Sequence, residues 1–226
     1  MLVEVLSVTA LASTFGFFFC GAQICVQIRR KGGTEGIGAA PFLIAFLSCF
    51  FMLQYGILRE DKVVILCNVV GLVLQGAYLL YYYSMTIHKR YLRRVFLIEA
   101  LLIGAMEWMV HWSTMPDQGM TILSNSCMFL NIAAMGAPLV TLKEVIRSKS
   151  TASLPLPLCV ASFAVSVQWL AYGILVNDPV IKYPNYIATL LALIQLSLFA
   201  IYGRSKTIIK KFQPIPSREK LNGYNI

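Results

Sequence analysis

Asn68 and Asn185 stand 117 positions apart, each inside a run of apolar residues. A carboxamide carries two N–H donors and two acceptor lone pairs and stays neutral. Two of them facing one another can grip the hydroxyls of a neutral polyol without desolvating an ion. The competing role is that each amide satisfies the backbone of a neighbouring helix. Trp169 offers a flat apolar wall with one donor, suited to stacking on the C–H face of a sugar ring; its other role is an interfacial aromatic. Met52 is its partner under the same 117-residue shift. Catalytic arrangements are missing from the sequence: no GxSxG, no Walker loop, no paired catalytic carboxylates and no metal-ligand spacing. The reading is therefore not an enzyme, with no cofactor and no metal. The six cysteines all lie in apolar runs without CxxC pairs and read as small packing residues.

These residues need elements to hold them. The chain has 226 residues, 58% hydrophobic and 13% charged, against about 45–50% and 25% in soluble domains. A water-soluble domain and a disordered chain are both excluded. About 20 apolar residues cross a bilayer, and seven such segments are predicted: 6–28, 41–58, 63–85, 95–113, 121–142, 156–176 and 186–202. No basic region precedes the first, so it reads as a retained span rather than a signal peptide. Trp108 and Trp112 fall near one end of the fourth and read as interfacial residues. If the N-terminus is outside, 16 of the 19 Lys and Arg residues fall on the cytoplasmic side. The positive-inside rule then gives N-out, C-in. The net charge of +9 is explained by this topology, so the partner is a lipid bilayer and nucleic-acid binding is not needed. The tail beyond residue 203 reads as a basic disordered segment beside anionic lipid. No retrieval signal is evident, which leaves the plasma membrane, with the Golgi as the alternative.

The 117-residue shift is more than a pair of asparagines. Tyr55-Gly56-Ile57-Leu58 recurs as Tyr172-Gly173-Ile174-Leu175, Asp61 recurs as Asp178, and 12 of the 45 positions from Arg30 to Leu74 match without a gap. This is an internal duplication. The predicted fold is all-α: seven transmembrane helices as two parallel three-helix repeats joined by a linker helix. The expected divisions are 1–85, 86–120, 121–203 and a tail 204–226. Pseudo-symmetric halves around a shared central site are the design of alternating-access transporters.

Moving parts are suggested by prolines and by the repeated Tyr and Asp. Pro41 and Pro155 open the second and sixth spans, where a first-turn proline is also unremarkable. Pro138 interrupts the fifth span and predicts a bend. Asp61 and Asp178 follow the two Tyr-Gly pairs at the outer mouth, where a Tyr hydroxyl bonded to a carboxylate could close the entrance; solvated loop acids are the alternative. Glu107 and His111, four apart, read as a local helix-end pair or a proton relay.

In combination the motifs resemble the SWEET sugar facilitators (the MtN3/saliva family) over nearly the whole chain up to the tail. They are Gln27-Ile28-Arg29-Arg30-Lys31, Gly33-Thr34-Glu35-Gly36, Ala40-Pro41-Phe42 and Tyr55-Gly56. In the second half they are Ala137-Pro138-Leu139, Val145 to Ser150, Leu154-Pro155, Gln168 to Gly173, and Asp178 with Pro184-Asn185. The wording is closer to animal than to plant members. The resemblance implies energy-independent, bidirectional uniport of mono- or disaccharides by alternating access, and self-association into homo-oligomers. It implies a sugar pocket from Asn68, Asn185 and Trp169 with Met52 opposite, and an outer gate from Tyr55 and Asp178. It also implies an inner hinge of four prolines: Pro41, Pro138 and Pro155 match, while the first-span member falls at Gln23, a departure. Met52 replaces residues that vary among relatives, so sugar size is not readable from it.

Two other classes make different demands on the sequence. A proton-coupled PQ-loop carrier predicts Pro-Gln dipeptides and a buried carboxylate; the chain has no Pro-Gln, and its candidate acids fall near span ends. A seven-helix receptor does not need two superposable halves.

Overall fold

The computed structural model describes residues 2–112, 116–151 and 154–202. Among these residues every regular element is an α-helix: α1 (Leu2–Phe18), α2 (Cys20–Lys31), α3 (Ala40–Leu58), α4 (Lys62–Met85), α5 (Lys89–His111), α6 (Pro116–Ala133), α7 (Gly136–Ser148), α8 (Leu156–Leu175) and α9 (Pro179–Tyr202). The basic tail predicted from residue 204 lies outside the described residues.

The helices among the described residues follow the seven expected spans, and six of these are long and apolar enough to cross a membrane. α1 with α2 form one continuous apolar stretch, as do α6 with α7, and α3, α4, α8 and α9 are each long and apolar enough to cross a membrane alone. At about 1.5 Å per residue, the 24 residues of α4 exceed the ~30 Å hydrocarbon core. The linker α5 is the least apolar span, because Lys89, Arg90, Arg93 and Arg94 open it and Glu99 and Glu107 follow. Its buried residues, Leu92, Glu99 and Met106, are seven apart and form one inward stripe.

The fold is the expected 3+1+3 arrangement. In the first repeat α4 packs on both α3 and α1; in the second, α9 packs on both α8 and α6. The first span of each repeat also reaches across: α1 packs on α8, and α6 on α3. Helix α5 lies against α6 and α3. Two apolar clusters at one end are shared between the repeats, joining Tyr55, Cys127 and Val180 in one and Val64, Tyr172 and Ile181 in the other. At the opposite end no cluster joins the two repeats: one gathers Ile28, Phe42 and Tyr82 with Leu92 of the linker, the other Val145, Cys159 and Leu198. The halves are thus welded at one end and separately packed at the other.

Several span ends move by a few residues, and three differences from the sequence reading bear on the site. The seventh span starts at Pro179 rather than 186, because the Asp178 side chain accepts from Val180 and Ile181 N–H and caps the helix. Pro184 is therefore inside α9. The fifth span is broken at Ala134–Met135, four residues before Pro138, where the proline ring crowds the carbonyl of residue i−4. The first span breaks at Phe19, between α1 and α2, at a place that no proline marks.

Candidate functional site

The welded end is built from the repeated Tyr-Gly-Ile-Leu segment. After each copy the chain turns through a left-handed residue, Glu60 at φ 55° and Asn177 at φ 52°. Asp61 N–H returns to Gly56 O at 2.9 Å and Asp178 N–H to Gly173 O at 2.8 Å, the hydrogen bond that closes a helix on a left-handed residue. Each Asp then caps the next helix, Asp61 for α4 and Asp178 for α9. Their remaining oxygens face the other repeat. Tyr55 Oη donates to Asp178 Oδ2 at 2.8 Å, and Tyr172 Oη donates to Asp61 Oδ2 at 2.7 Å. Both aspartates are structural caps and cross-repeat partners, and Asp178 is only 4% exposed. Arg59 Nε adds a contact of 4.0 Å to Asp178; its repeat partner is Val176, so Asp61 has no matching cation.

Beneath this closure a cavity of about 300 Å³ opens between the repeats. Asn68, Asn185, Trp169 and Met52 all line it. The two amides are held alike: Asn68 Nδ2 donates to Val64 O and Asn185 Nδ2 to Ile181 O, both at 2.8 Å. That fixes one N–H of each on its own helix and leaves the other N–H and the oxygen for a solute. The backbone each amide satisfies is therefore its own helix and not a neighbouring one, and both amides line the cavity. Trp169 Nε1 donates to Thr14 Oγ1 at 2.8 Å, and its ring meets Tyr172 edge-on at 5.6 Å. The indole is anchored in the interior; Trp108 on α5 and Trp112 just past its end are the exposed tryptophans, 62% and 79%.

A second polar pair lines the cavity that the sequence reading did not single out. Thr14 Oγ1 donates to Ala10 O at 2.7 Å and Asn131 Nδ2 to Cys127 O at 2.9 Å. The 117-residue shift relates Thr14 to Asn131, and Ala10 to Cys127. Each also meets the second helix of the opposite repeat, Thr14 through Trp169 and Asn131 through Ser48 Oγ at 3.4 Å. Extending the register upstream of Arg30 would have found the pair. Cys49 and Cys67 line the same cavity, and all six cysteines are free thiols.

A family model described as a sugar efflux transporter for intercellular exchange, the MtN3/saliva model, matches residues 4–90 and again 121–207. The chain belongs to this family. The MtN3/saliva relatives include a protein named sugar transporter SWEET1 from Drosophila pseudoobscura pseudoobscura, 41% identical over 203 residues, covering 88% of this chain and 89% of that one. A protein of the same name from Caenorhabditis elegans is 39% identical over 201 residues, 89% of this chain and 66% of that one. The solved structure of a eukaryotic SWEET transporter superposes with a TM-score of 0.78 at 23% identity, over 89% of this chain and 99% of that one. That likeness concerns the fold. The relatives are named as transporters, not enzymes.

The other residues singled out in the sequence are spread over α2, α3, α5, α7 and the start of α8. Pro41 lies in the first turn of α3, and Pro155 is the residue preceding α8; both are exposed. Pro138 is the third residue of α7, just past the break. Gln23 lies exposed on α2, two residues beyond Gly21, and Gly21 is the position that the 117-residue register pairs with Pro138. Glu107 and His111 approach to 3.5 Å near the end of α5, with Glu107 Oε1 buried and unpaired. Glu99 alters one step of the sequence argument. It is a buried carboxyl well inside the α5 helix, so the acids are not confined to span ends. Its place on the seven-residue stripe with Leu92 and Met106 was the available signal.

Proposed function

We propose that this chain is a facilitative sugar uniporter that works by alternating access. The observation that carries the reading is the cavity between the repeats, where two symmetry-related amides with free hydrogen-bonding capacity face an anchored indole. Amides supply donors and acceptors in equal number, matching hydroxyls that need both. The indole supplies an apolar face for the C–H side of the ring. No charge lines the cavity among the described residues, so a neutral solute fits it better than an ion. A volume of about 300 Å³ is at the small end of ligand pockets, about 300–1,000 Å³, and favours a monosaccharide in this state. The names of the relatives support a sugar as the solute.

In this reading the N-terminus is outside and the C-terminus cytoplasmic, as the basic loops favour, at the plasma membrane. Tyr55 with Asp178, and Tyr172 with Asp61, form the outer gate. Pro41, Pro138, Pro155 and the segment around Gln23 form the inner one, at the end where the repeats are packed separately. Copies of the chain associate in the bilayer.

The test is uptake of glucose, galactose, fructose, sucrose and trehalose by transport-deficient cells or liposomes carrying the protein. If none crosses faster than in the empty control, the sugar reading is wrong. Loss of uptake in Asn185→Ala at unchanged surface level supports the site.

A second reading, a proton-coupled carrier on the same fold, is favoured by Glu99. An ionisable residue within a span marks a functional site by default, and no hydrogen bond or ion pair is made by Glu99 among the described residues. An imposed proton gradient separates the two: uniport gives the same steady-state accumulation with and without it, while coupled transport gives accumulation that Glu99→Gln abolishes.

A further inference from the structure

Spans one and five are each cut in two, and the cuts fall at matching places. The last residue of α1, Phe18, corresponds to Met135 in the second break, and Gly21 corresponds to Pro138. The two halves of each span pack differently. All four pieces pack on the third helix of their own repeat, α4 or α9, but the outer pieces α1 and α6 also pack across on the opposite repeat, on α8 and α3, and the inner pieces α2 and α7 make no comparable contact there. Ile28 of α2 is buried with Phe42, Tyr78 and Tyr82, and Val145 of α7 with Cys159 and Leu198.

One residue of each third helix meets the span at the cut or just past it. In the first repeat Ala22 N–H bonds to Phe19 O at 3.0 Å instead of continuing the i−4 ladder to Phe18. Tyr78 Oη takes the vacated place and donates to Phe18 O at 3.2 Å. The Tyr78 ring lies against Gly21, where an added Cβ would overlap it. In the second repeat Gln195 Nε2 donates to Pro138 O at 3.3 Å. The shift of 117 relates Tyr78 to Gln195, so equivalent positions contact equivalent positions, 21 and 138, through different chemistry. Both side chains are buried, 9% and 5% exposed, and neither lines the cavity.

We propose that Tyr78, by its ring against Gly21, and Gln195, by its bond to Pro138 O, are positioning residues that clamp the inner half-helices α2 and α7 to α4 and α9, so that each pair swings as one body about the cut, which in the first repeat the Tyr78 hydroxyl holds at the last carbonyl of α1. Residue 21 is glycine because the clamp in that repeat is an aromatic ring; residue 138 can be proline because its clamp is a slender amide that uses only the carbonyl. A half-helix that moves with its third helix can part the inner end while the crossed Tyr–Asp bonds keep the outer end shut. The inference rests on the alternating-access reading for its transport consequence, but not for the clamp itself.

Tyr78→Phe and Gln195→Leu each remove the bond and keep the bulk. A neutral hydrogen bond is equivalent to about two- to tenfold in an equilibrium. The maximal transport rate should change by that factor with KM and surface level unchanged, since neither residue touches the cavity. Gly21→Ala should lower the rate, and Tyr78→Leu in the same chain should recover it. Amide hydrogen exchange in lipid nanodiscs gives a readout that needs no transported solute. Tyr78→Leu, which takes the ring away from Gly21, should speed exchange throughout α2 and spare α1 up to its last turn; Gln195→Leu should do the same for α7 and spare α6. Unchanged exchange in α2 and α7 overturns the clamp, as does an equal rise in α1 and α6, which is general loosening. Absence of sugar transport in the wild-type protein with the exchange pattern intact overturns the uniporter reading and leaves the clamp standing.

Discussion

The Tyr55 hydroxyl donates to the Asp178 carboxylate at 2.8 Å, tying α3 of the first repeat to the cap of α9 in the second. Tyr172 and Asp61 repeat the tie in the opposite direction. The carboxylates are held in place by capping their own helices, so each cross-repeat bond is made to an acid that is already ordered.

Removing these bonds should open the mouth. A hydrogen bond to a charged group is worth about 1.5–3 kcal/mol, so Tyr55→Phe should raise the open fraction by about tenfold or more. Tyr172→Phe should act similarly, and the double variant should exceed both. Labelling of Cys67, which lines the cavity, by a membrane-impermeant thiol reagent from outside measures the opening in a chain keeping only that cysteine. Labelling as slow as in the parent would show that the bonds do not hold the mouth.

The two asparagines should be needed together. Asn68→Ala and Asn185→Ala each remove the uncommitted N–H and oxygen from the cavity wall, and each should lower transport by about tenfold or more at constant surface level. The double variant should lose less than the product, because residues sharing one ligand do not add independently. Radiolabelled uptake with surface biotinylation decides it; unchanged uptake in either single variant removes that amide from the site.

The register made the asparagines visible because both copies kept the same residue. Thr14 and Asn131 do the same job with different residues, and nothing in their types links them until the first spans are superposed. Pro138 announced the break in the fifth span; the break at Phe19 was silent, since Gly21 lies past it and Tyr78, which stabilises it, is 60 residues away in sequence. The start of α9 was misplaced because Lys182 and Pro184 look like loop residues until Asp178 is seen to cap the helix. Glu99 was passed over because apolar content sets where a span is drawn, not which face turns inward.

Met52 occupies the position that the register pairs with Trp169, and both line the cavity. Met52→Trp should fill part of the ~300 Å³, raising KM for larger sugars before smaller ones; Met52→Ala should do the reverse. Competition assays with a monosaccharide against a disaccharide read the change. An equal shift for both would place residue 52 outside the solute's reach.

The two Tyr-Gly pairs should differ in their tolerance of a methyl group. A Cβ on Gly173 would stand 2.8 Å from the backbone nitrogen of Lys182 and 3.1 Å from its Cα, whereas on Gly56 the nearest atom is Val64 Cγ1 at 3.0 Å, a side-chain atom. A backbone cannot step aside without moving α9, so Gly173→Ala should cost about 1–3 kcal/mol. For a chain of this size that lowers Tm by about 2–10 °C. Gly56→Ala should lose less, because Val64 can shift, although Ile65 N at 3.2 Å limits the relief. Thermal unfolding in detergent compares them. Forcing α8 away from α9 also moves Tyr172 and Asp178 in relation to their partners, so Gly173→Ala should admit the impermeant thiol reagent as Tyr55→Phe does. Equal stability of the two variants would mean that the α8–α9 turn absorbs the methyl, and that close helix approach is not what sets the geometry of the mouth.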